Sequence, residues 1–178
     1  MILTVMSDAS LGSEKINNSN HRSRGGYFMY LGTSNPLIIN GPVAVHTGIL
    51  TGVPVSAAEA EIVNHFDTGK ATLHTKRILD DLGYPQPATI IFTDNVCSKE
   101  YSNDTIKRTK LRHIDRRYEW LKHMVSINEF RLEYISSENN IADFFTKIMS
   151  KQRHEYLVSF IIRKEKVLQL QYNKLLYY

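Results

Sequence analysis

The 178-residue chain holds a single cysteine, Cys97, and a single tryptophan. A lone cysteine excludes an intramolecular disulfide and any thiolate-rich zinc site. It suits an intracellular, reducing compartment better than secretion. No run of 18 apolar residues occurs, so no helical membrane span is expected. The opening MILTVMSDAS lacks a basic leader and does not read as a signal peptide. It reads as a strand beginning almost at residue 1, which suggests a piece cut from a longer chain. With 42% apolar and 22% charged residues the chain can fill a packed core, and the composition argues against wholesale disorder. A net charge of +4 permits a polyanionic partner without selecting one.

What is present falls into alternating blocks. ILTVM (2–6) is a β-prone run ending at Ser7-Asp8, and residues 11–26 are polar and turn-rich, a loop by composition. YFMYLGT (27–33) and PLIINGPVAV (36–45) predict a hairpin around SNP, with loop over 46–55. From Ser56 the period turns helical, with Ala58, Ile62, Phe66 and Leu73 and then Ile78, Leu79 and Leu82 on one stripe, stopping at Gly83. ATIIFTD (88–94) reads as a strand buried on both faces. A short helix (95–102), a basic segment, a helix over 113–127, a half-buried strand (129–136) and a last helix (139–149) complete the order. The pattern predicts an α/β domain over 1–149, a mixed sheet with helices packed on it. Residues 150–178, basic and then rich in Leu and Tyr, are expected to form an accessory helix or tail outside the core.

Two predicted strands end in an acid, Asp8 and Asp94. If they lie parallel and adjacent, both carboxylates emerge at one sheet edge, where open α/β sheets bind ligands. The plain alternative is a turn former or helix cap. In SAAEAEI, Ser56 and Glu59 have capping-box spacing, with Glu59 reaching back to the Ser56 N–H. That leaves Glu61, about 200° round the helix from Glu59 at 100° per residue, free to face the strand ends. Asp143, near the start of the last helix, is explained on its own by the helix dipole. Four carboxylates converging on one edge would repel one another unless cations lie between them. Hard oxygen donors suit Mg²⁺ or Mn²⁺, and a pair of such ions can drive phosphodiester hydrolysis.

The same residues resemble a known family. SDAS (7–10), HRSRGGYFMYLG (21–32), SAAEAEI (56–62), FTDN (92–95), RHIDRRYEWLK (112–122) and NNIADFFTK (139–147), in this order, resemble the ribonuclease H domain of copia-type LTR retrotransposon polyproteins. The resemblance implies a five-stranded sheet, its first three strands antiparallel and the rest parallel. It places the catalytic, metal-holding acids on Asp8, Glu61, Asp94 and Asp143. It implies hydrolysis of the RNA strand of an RNA–DNA hybrid with two Mg²⁺, Mn²⁺ being a substitute. The partner would be a reverse transcriptase of the same polyprotein, and the setting cytoplasmic virus-like particles and the nucleus. The chain departs from the pattern in three places: Leu11-Gly12 where a tryptophan often stands, GPVAVHTGILTGVPV before the helix, and SSENN without the usual loop histidine.

The basic run KRTKLRHIDRRY (107–118) offers Lys110, Arg112, Arg116 and Arg117 for phosphate contacts that read no sequence. Its alternative is a solvated helix face. Ser10, Arg24 and Asn95 are further candidates for nucleic-acid contact, with Arg22 and Lys147 behind them. Trp120 is expected in the core and His123 at the surface. Three other functional classes share these residues. One is a related nuclease or integrase-type strand transferase acting on DNA, against which NNIADFFTK and the basic RHID helix argue. The others are a co-opted module that binds nucleic acid without cutting it, and a structural segment supporting a neighbouring reverse transcriptase.

Overall fold

A computed structural model describes residues 1–16, 20–34, 37–39, 41–95, 115–162 and 166–168. Strand β1 (Ile2–Ile16) runs antiparallel to β2 (Asn20–Ser34), and β2 pairs with both β3 (Leu37–Ile39) and β4 (Pro42–Ile49). Helix α1 (Ala57–Asp81) leads to β5 (Thr89–Thr93), and α2 (Asp115–Ser126) leads to β6 (Phe130–Tyr134). A 3-10 turn (Ser137–Asn139), the one-turn α3 (Asp143–Thr146), α4 (Lys151–Ile162) and β7 (Lys166–Leu168) follow. The main sheet has five strands in the order β6-β5-β1-β2-β4, with β5 and β6 parallel to β1; β3 and β7 extend it from β2. This is the mixed sheet expected.

The strand period of two divides the core. Leu3, Val5, Met29 and Ile91 face α1 and α2, meeting Ile62 and Leu121. Met6, Phe28, Tyr30 and Phe92 face the opposite side, where Ile141, Ala142, Leu157 and Phe160 cover them. Leu157 and Phe160 belong to α4, so the core continues through residues 150–162, and the boundary expected after residue 149 is corrected. Trp120 packs edge-on to Phe66 at 5.0 Å and His123 is exposed, both as expected.

Helix α1 begins at its cap: Ser56 Oγ accepts the Glu59 N–H at 3.2 Å. Glu59 reaches back as predicted but accepts the Val55 N–H at 2.7 Å, one residue earlier than the Ser56 N–H expected. The helix stops at Gly83, whose φ of 85° lies in the left-handed region that a side chain resists. The predicted apolar stripe fails at its end, with Ile78 46% and Leu82 65% exposed. The helix instead buries Asn64, Thr68, Thr72 and Lys76: Asn64, Thr68 and Lys76 face polar groups of the sheet and of the turn before β6, and Thr72 Oγ1 donates to Thr68 O one turn back at 2.8 Å.

Three further expectations are corrected. Strand β1 does not stop at Asp8, and residues 11–16 and 20–26 continue β1 and β2 as a long ribbon rather than a loop. A polar stretch can stay in a ladder where few of its side chains have to enter the core. The segment 36–45 divides at Gly41 (φ 87°), and β4 runs on to Ile49 through a stretch read as loop. The helix expected over 139–149 is a 3-10 turn followed by the single turn α3. The helix expected over 95–102 lies, after Asn95, outside the described residues, together with Cys97, Lys110, Arg112 and His113.

Candidate active site

The parallel pairing of β1 with β5 sets Thr4 beside Ile90 and Met6 beside Phe92. Two residues further along the same register, Asp8 comes level with Asp94, on the face that Met6 and Phe92 share. Asp143 enters from that face as the first residue of α3. One carboxylate oxygen from each of Asp8, Asp94 and Asp143 lies within 4.8 Å of the others. The adjacency inferred from two strand ends is therefore real, although Asp8 sits inside a strand.

Two buried asparagines fix this stretch of β1, which β5 no longer covers. Asn140 Nδ2 donates to Ser7 O at 3.1 Å. Asn64 Nδ2, from α1, lies 2.8 Å from Asp8 O, 2.8 Å from Ser7 Oγ and 3.2 Å from Gly26 O. A Cβ on Gly25 would come within 2.3 Å of Asn64 Oδ1, so glycine there lets α1 approach the sheet. The carbonyls at the site thus keep partners where the strand ladder ends.

Between the acids lies a cation from the chain itself. Lys147 Nζ is 2.7 Å from Asp143 Oδ1, 3.0 Å from Asp8 Oδ1 and 3.5 Å from Asp94 Oδ2. Thr146 Oγ1 donates to Asp8 Oδ2, and Ser137 Oγ donates to Asp94 Oδ2 at 2.6 Å. Arg153, on α4, places Nη2 3.8 Å from Asp143 Oδ2 while both of its terminal nitrogens hold the 3-10 turn through Glu138 O and Ser137 O.

Glu61 stands apart. It is 4% exposed, and its Oε1 accepts the Ala9 N–H at 3.2 Å. Its Oε2 lies 3.7 Å from His65 Nε2, and neither of these two atoms has a hydrogen-bond partner among the described residues. The structure therefore gathers three of the four predicted acids and leaves the fourth beside them, buried and half satisfied.

The electrostatics follow from one ammonium among several carboxylates. Burial raises the Asp8 carboxyl, and Asp94 raises it further against the pull of Lys147 and Thr146. Burial likewise raises Asp143 to about 6, despite its hydrogen bond from Lys147. Burial, then Asp8 and Asp94, push Glu61 well above the carboxylate range. Burial lowers His65 to about 4. Burial would lower the Lys147 ammonium too, but Asp8 and Asp143 outweigh it and hold it charged. With Arg153 at the edge of the set, two positive charges face four carboxyl groups, and the cluster stays short of neutrality when all four are ionised.

A cleft of about 820 Å³ opens beside the acids, lined by Ser10, Arg24, Thr47, Phe145 and Lys147 among others. Arg24 Nη1 donates to Thr47 Oγ1 at 3.0 Å, which aims the guanidinium along the wall. Ser10 and Arg24, separate candidates in the sequence, thus meet in one place. Asn95 is half-buried, its N–H donating to Thr93 Oγ1 at 3.2 Å. Arg116 is exposed on α2, and Arg117 lies over the Phe66 ring at 5.7 Å, in the contact between α1 and α2. Sequence reasoning missed Thr146, Ser137, Arg153 and the two asparagines. The Asp143–Lys147 spacing of four residues was the readable clue to a pair; nothing in the sequence marks Arg153.

This sheet order and helix placement are those of the ribonuclease H fold. The chain is similar to RNase H1 from the halophilic archaeon Halobacterium salinarum, with a TM-score of 0.53, 11% identity, and 82% of this chain and 95% of that one covered. It is similar to LC11-RNase H1 isolated from compost, with a TM-score of 0.57, 11% identity, and 89% and 99% covered. It matches LC11-RNase H1 in complex with an RNA/DNA hybrid at a TM-score of 0.52, 11% identity, and 81% and 93% covered. The sequence homologues are retrovirus-related Pol polyproteins of plant transposons. That of TNT 1-94 from Nicotiana tabacum is 29% identical over 65% of this chain, and that of RE1 from Arabidopsis thaliana 25% over 88%. The matches span about a tenth of those polyproteins, 9% and 10% of their lengths. No protein-family model matches the chain.

Proposed function

We propose that this chain is the ribonuclease H domain of a copia-type retrotransposon Pol polyprotein, cutting the RNA strand of RNA–DNA hybrids with two divalent ions, Mg²⁺ or Mn²⁺. The observation that carries the reading is the set of Asp8, Asp94 and Asp143, whose oxygens lie within 4.8 Å of one another on two adjacent strands and a helix. The donor set fits a hard divalent cation: every candidate ligand is a carboxylate, a chain ammonium already stands among them, and the buried Glu61 Oε2 lacks a partner among the described residues. Asp8, Asp94 and Asp143 would hold the ions, with Glu61 completing the set. Bound there, the ions would supply activation of an attacking water and stabilisation of the departing oxygen of a phosphodiester.

The chain's own residues supply position. Asn64 and Asn140 fix the backbone that carries Asp8, and Thr146 and Ser137 orient the carboxylates. Arg24 and Ser10 line the cleft where a phosphate backbone would run, and contacts of that kind hold a duplex without reading its sequence. The hybrid is supported as substrate by the complex of the structurally similar LC11-RNase H1, and a reverse transcriptase neighbour by the Pol homologues. In this reading the activity is intracellular, in cytoplasmic virus-like particles and the nucleus.

The test is selectivity. Labelled RNA–DNA hybrid, double-stranded RNA and double-stranded DNA are incubated with the purified chain and Mg²⁺. The reading expects cuts in the RNA of the hybrid alone. Tight binding of the hybrid with no cutting under either metal would replace it with a binding module.

A further inference from the structure

The acid site already contains a cation, and that cation is on a leash. Lys147 Nζ touches two carboxylates at 2.7 and 3.0 Å and comes within 3.5 Å of a third, the arrangement a small bound cation would adopt. Its side chain is nevertheless 38% exposed, while those of Asp8, Asp94 and Asp143 are 10% or less. The ammonium can therefore leave without disturbing the core, whereas the carboxylates stay. It also has a place to go, because Lys147 lines the open cleft beside the acids. Arg153, 3.8 Å from Asp143, cannot play this part, since its guanidinium is committed to the carbonyls of Ser137 and Glu138.

We propose that Lys147 is a resident counter-ion that occupies a cation position of the metal-free site and yields it when a divalent ion binds, so that this one side chain sets the affinity of the site for metal. The proposal rests on the reading of the site as a divalent-cation site. Two positive charges cannot share a position surrounded by the same oxygens, so metal binding and the inward position of Lys147 exclude each other. Lys147 keeps the carboxylates gathered when no metal is present, and the cost is a competition that the metal must win. Lys147 is a positioning residue in this account; it reaches the reacting atoms only through the acids.

Two measurements test it, and neither reads turnover. Mn²⁺ binding is followed by calorimetry in the wild type and in Lys147→Met, which keeps the length of the side chain and removes its charge. The variant is expected to bind at least about tenfold more tightly, a modest share of what removing a charge at contact distance can contribute. Equal or weaker binding by a folded variant would overturn the proposal. The second measurement uses the wild type alone, so it does not depend on the variant folding. Amine acylation with mass spectrometry compares Lys147 with the exposed Lys151, with and without Mn²⁺. Lys147 is expected to be protected without metal and to gain reactivity several-fold with it, while Lys151 stays constant. Unchanged protection with Mn²⁺ bound would show that the ammonium is not displaced and would overturn the proposal. Absence of Mn²⁺ binding in both chains would instead overturn the metal reading itself, and the proposal with it.

Discussion

Two lysines of this molecule meet buried or half-buried acids, and they do so in opposite ways. Lys76 is paired one to one: its Nζ lies 2.8 Å from Glu129 Oε2 and donates to Glu129 O at 2.9 Å. Lys147 serves three carboxylates at once, with the buried Glu61 close enough for Asp8 and Asp94 to raise it. The Lys76 pair is electrically complete and joins α1 to the turn before β6. The Lys147 set is short of positive charge, which costs folding energy unless something else supplies it. A complete pair marks architecture, and an incomplete one marks a place where a further cation belongs.

The sharpest way to break this contrast is at Glu61. Glu61→Gln removes a carboxylate whose charge burial disfavours. Hybrid cleavage should fall on the order of a hundredfold or more, since a metal site contributes several kcal/mol to such a transition state. The same substitution should stabilise the metal-free protein, measurable as a higher melting temperature in EDTA. A fully active Glu61→Gln enzyme would place this residue outside the site.

Lys76→Met should do the reverse. It leaves a carboxylate without its partner and should cost about 2–3 kcal/mol, below the usual range for a buried pair because Glu129 is 39% exposed. Urea denaturation would read that loss, with cleavage per folded molecule unchanged.

The effect of pH on the acid site comes next. In the metal-free fold Asp143 titrates near 6, above its ordinary 3.8. The folded state therefore holds this proton more tightly than the unfolded one does. Asp143's contribution to stability falls as pH rises from about 4 to about 6 and is level above that. His65, lowered from 6.5 to about 4, works in the opposite sense, losing stability as pH falls through that window. The Asp143 part is isolated as the difference between wild type and Asp143→Asn in chelator. Metal must displace the same proton, so Mn²⁺ affinity should weaken as pH drops below 6; a flat profile from 5 to 7 would contradict this. The smallest effect belongs to the helix cap: Ser56→Ala should cost about 1 kcal/mol and leave cleavage unaltered.

How much of this was readable from the residues depends on what each signal encodes. The Asp8–Asp94 contact was legible because strand period and parallel register are local properties that carry over to three dimensions. The two glutamates were separable because a capping box leaves a definite helix phase behind it. The long ribbon of β1 and β2 was not, since its polar residues look like loop when their hydrogen bonds lie in a partner strand. The polar face of α1 escaped for a similar reason: Asn64, Thr68 and Lys76 are buried by what they bond to. Lys147 was visible as the basic residue closing a motif, but its seat among three acids depends on α3 docking over β1 beside Asp8, which no spacing in the sequence records.

The central claim is that the acids form a metal-dependent ribonuclease site, and cleavage of a labelled RNA–DNA hybrid tests it most directly. Wild type and Asp94→Asn are compared side by side with Mg²⁺ and with EDTA. The account predicts that the wild type cuts the RNA strand with Mg²⁺ only, and that Asp94→Asn stays folded and cuts on the order of a thousandfold more slowly or not at all. Cleavage that survives EDTA, or an Asp94→Asn protein as active as the wild type, would contradict it.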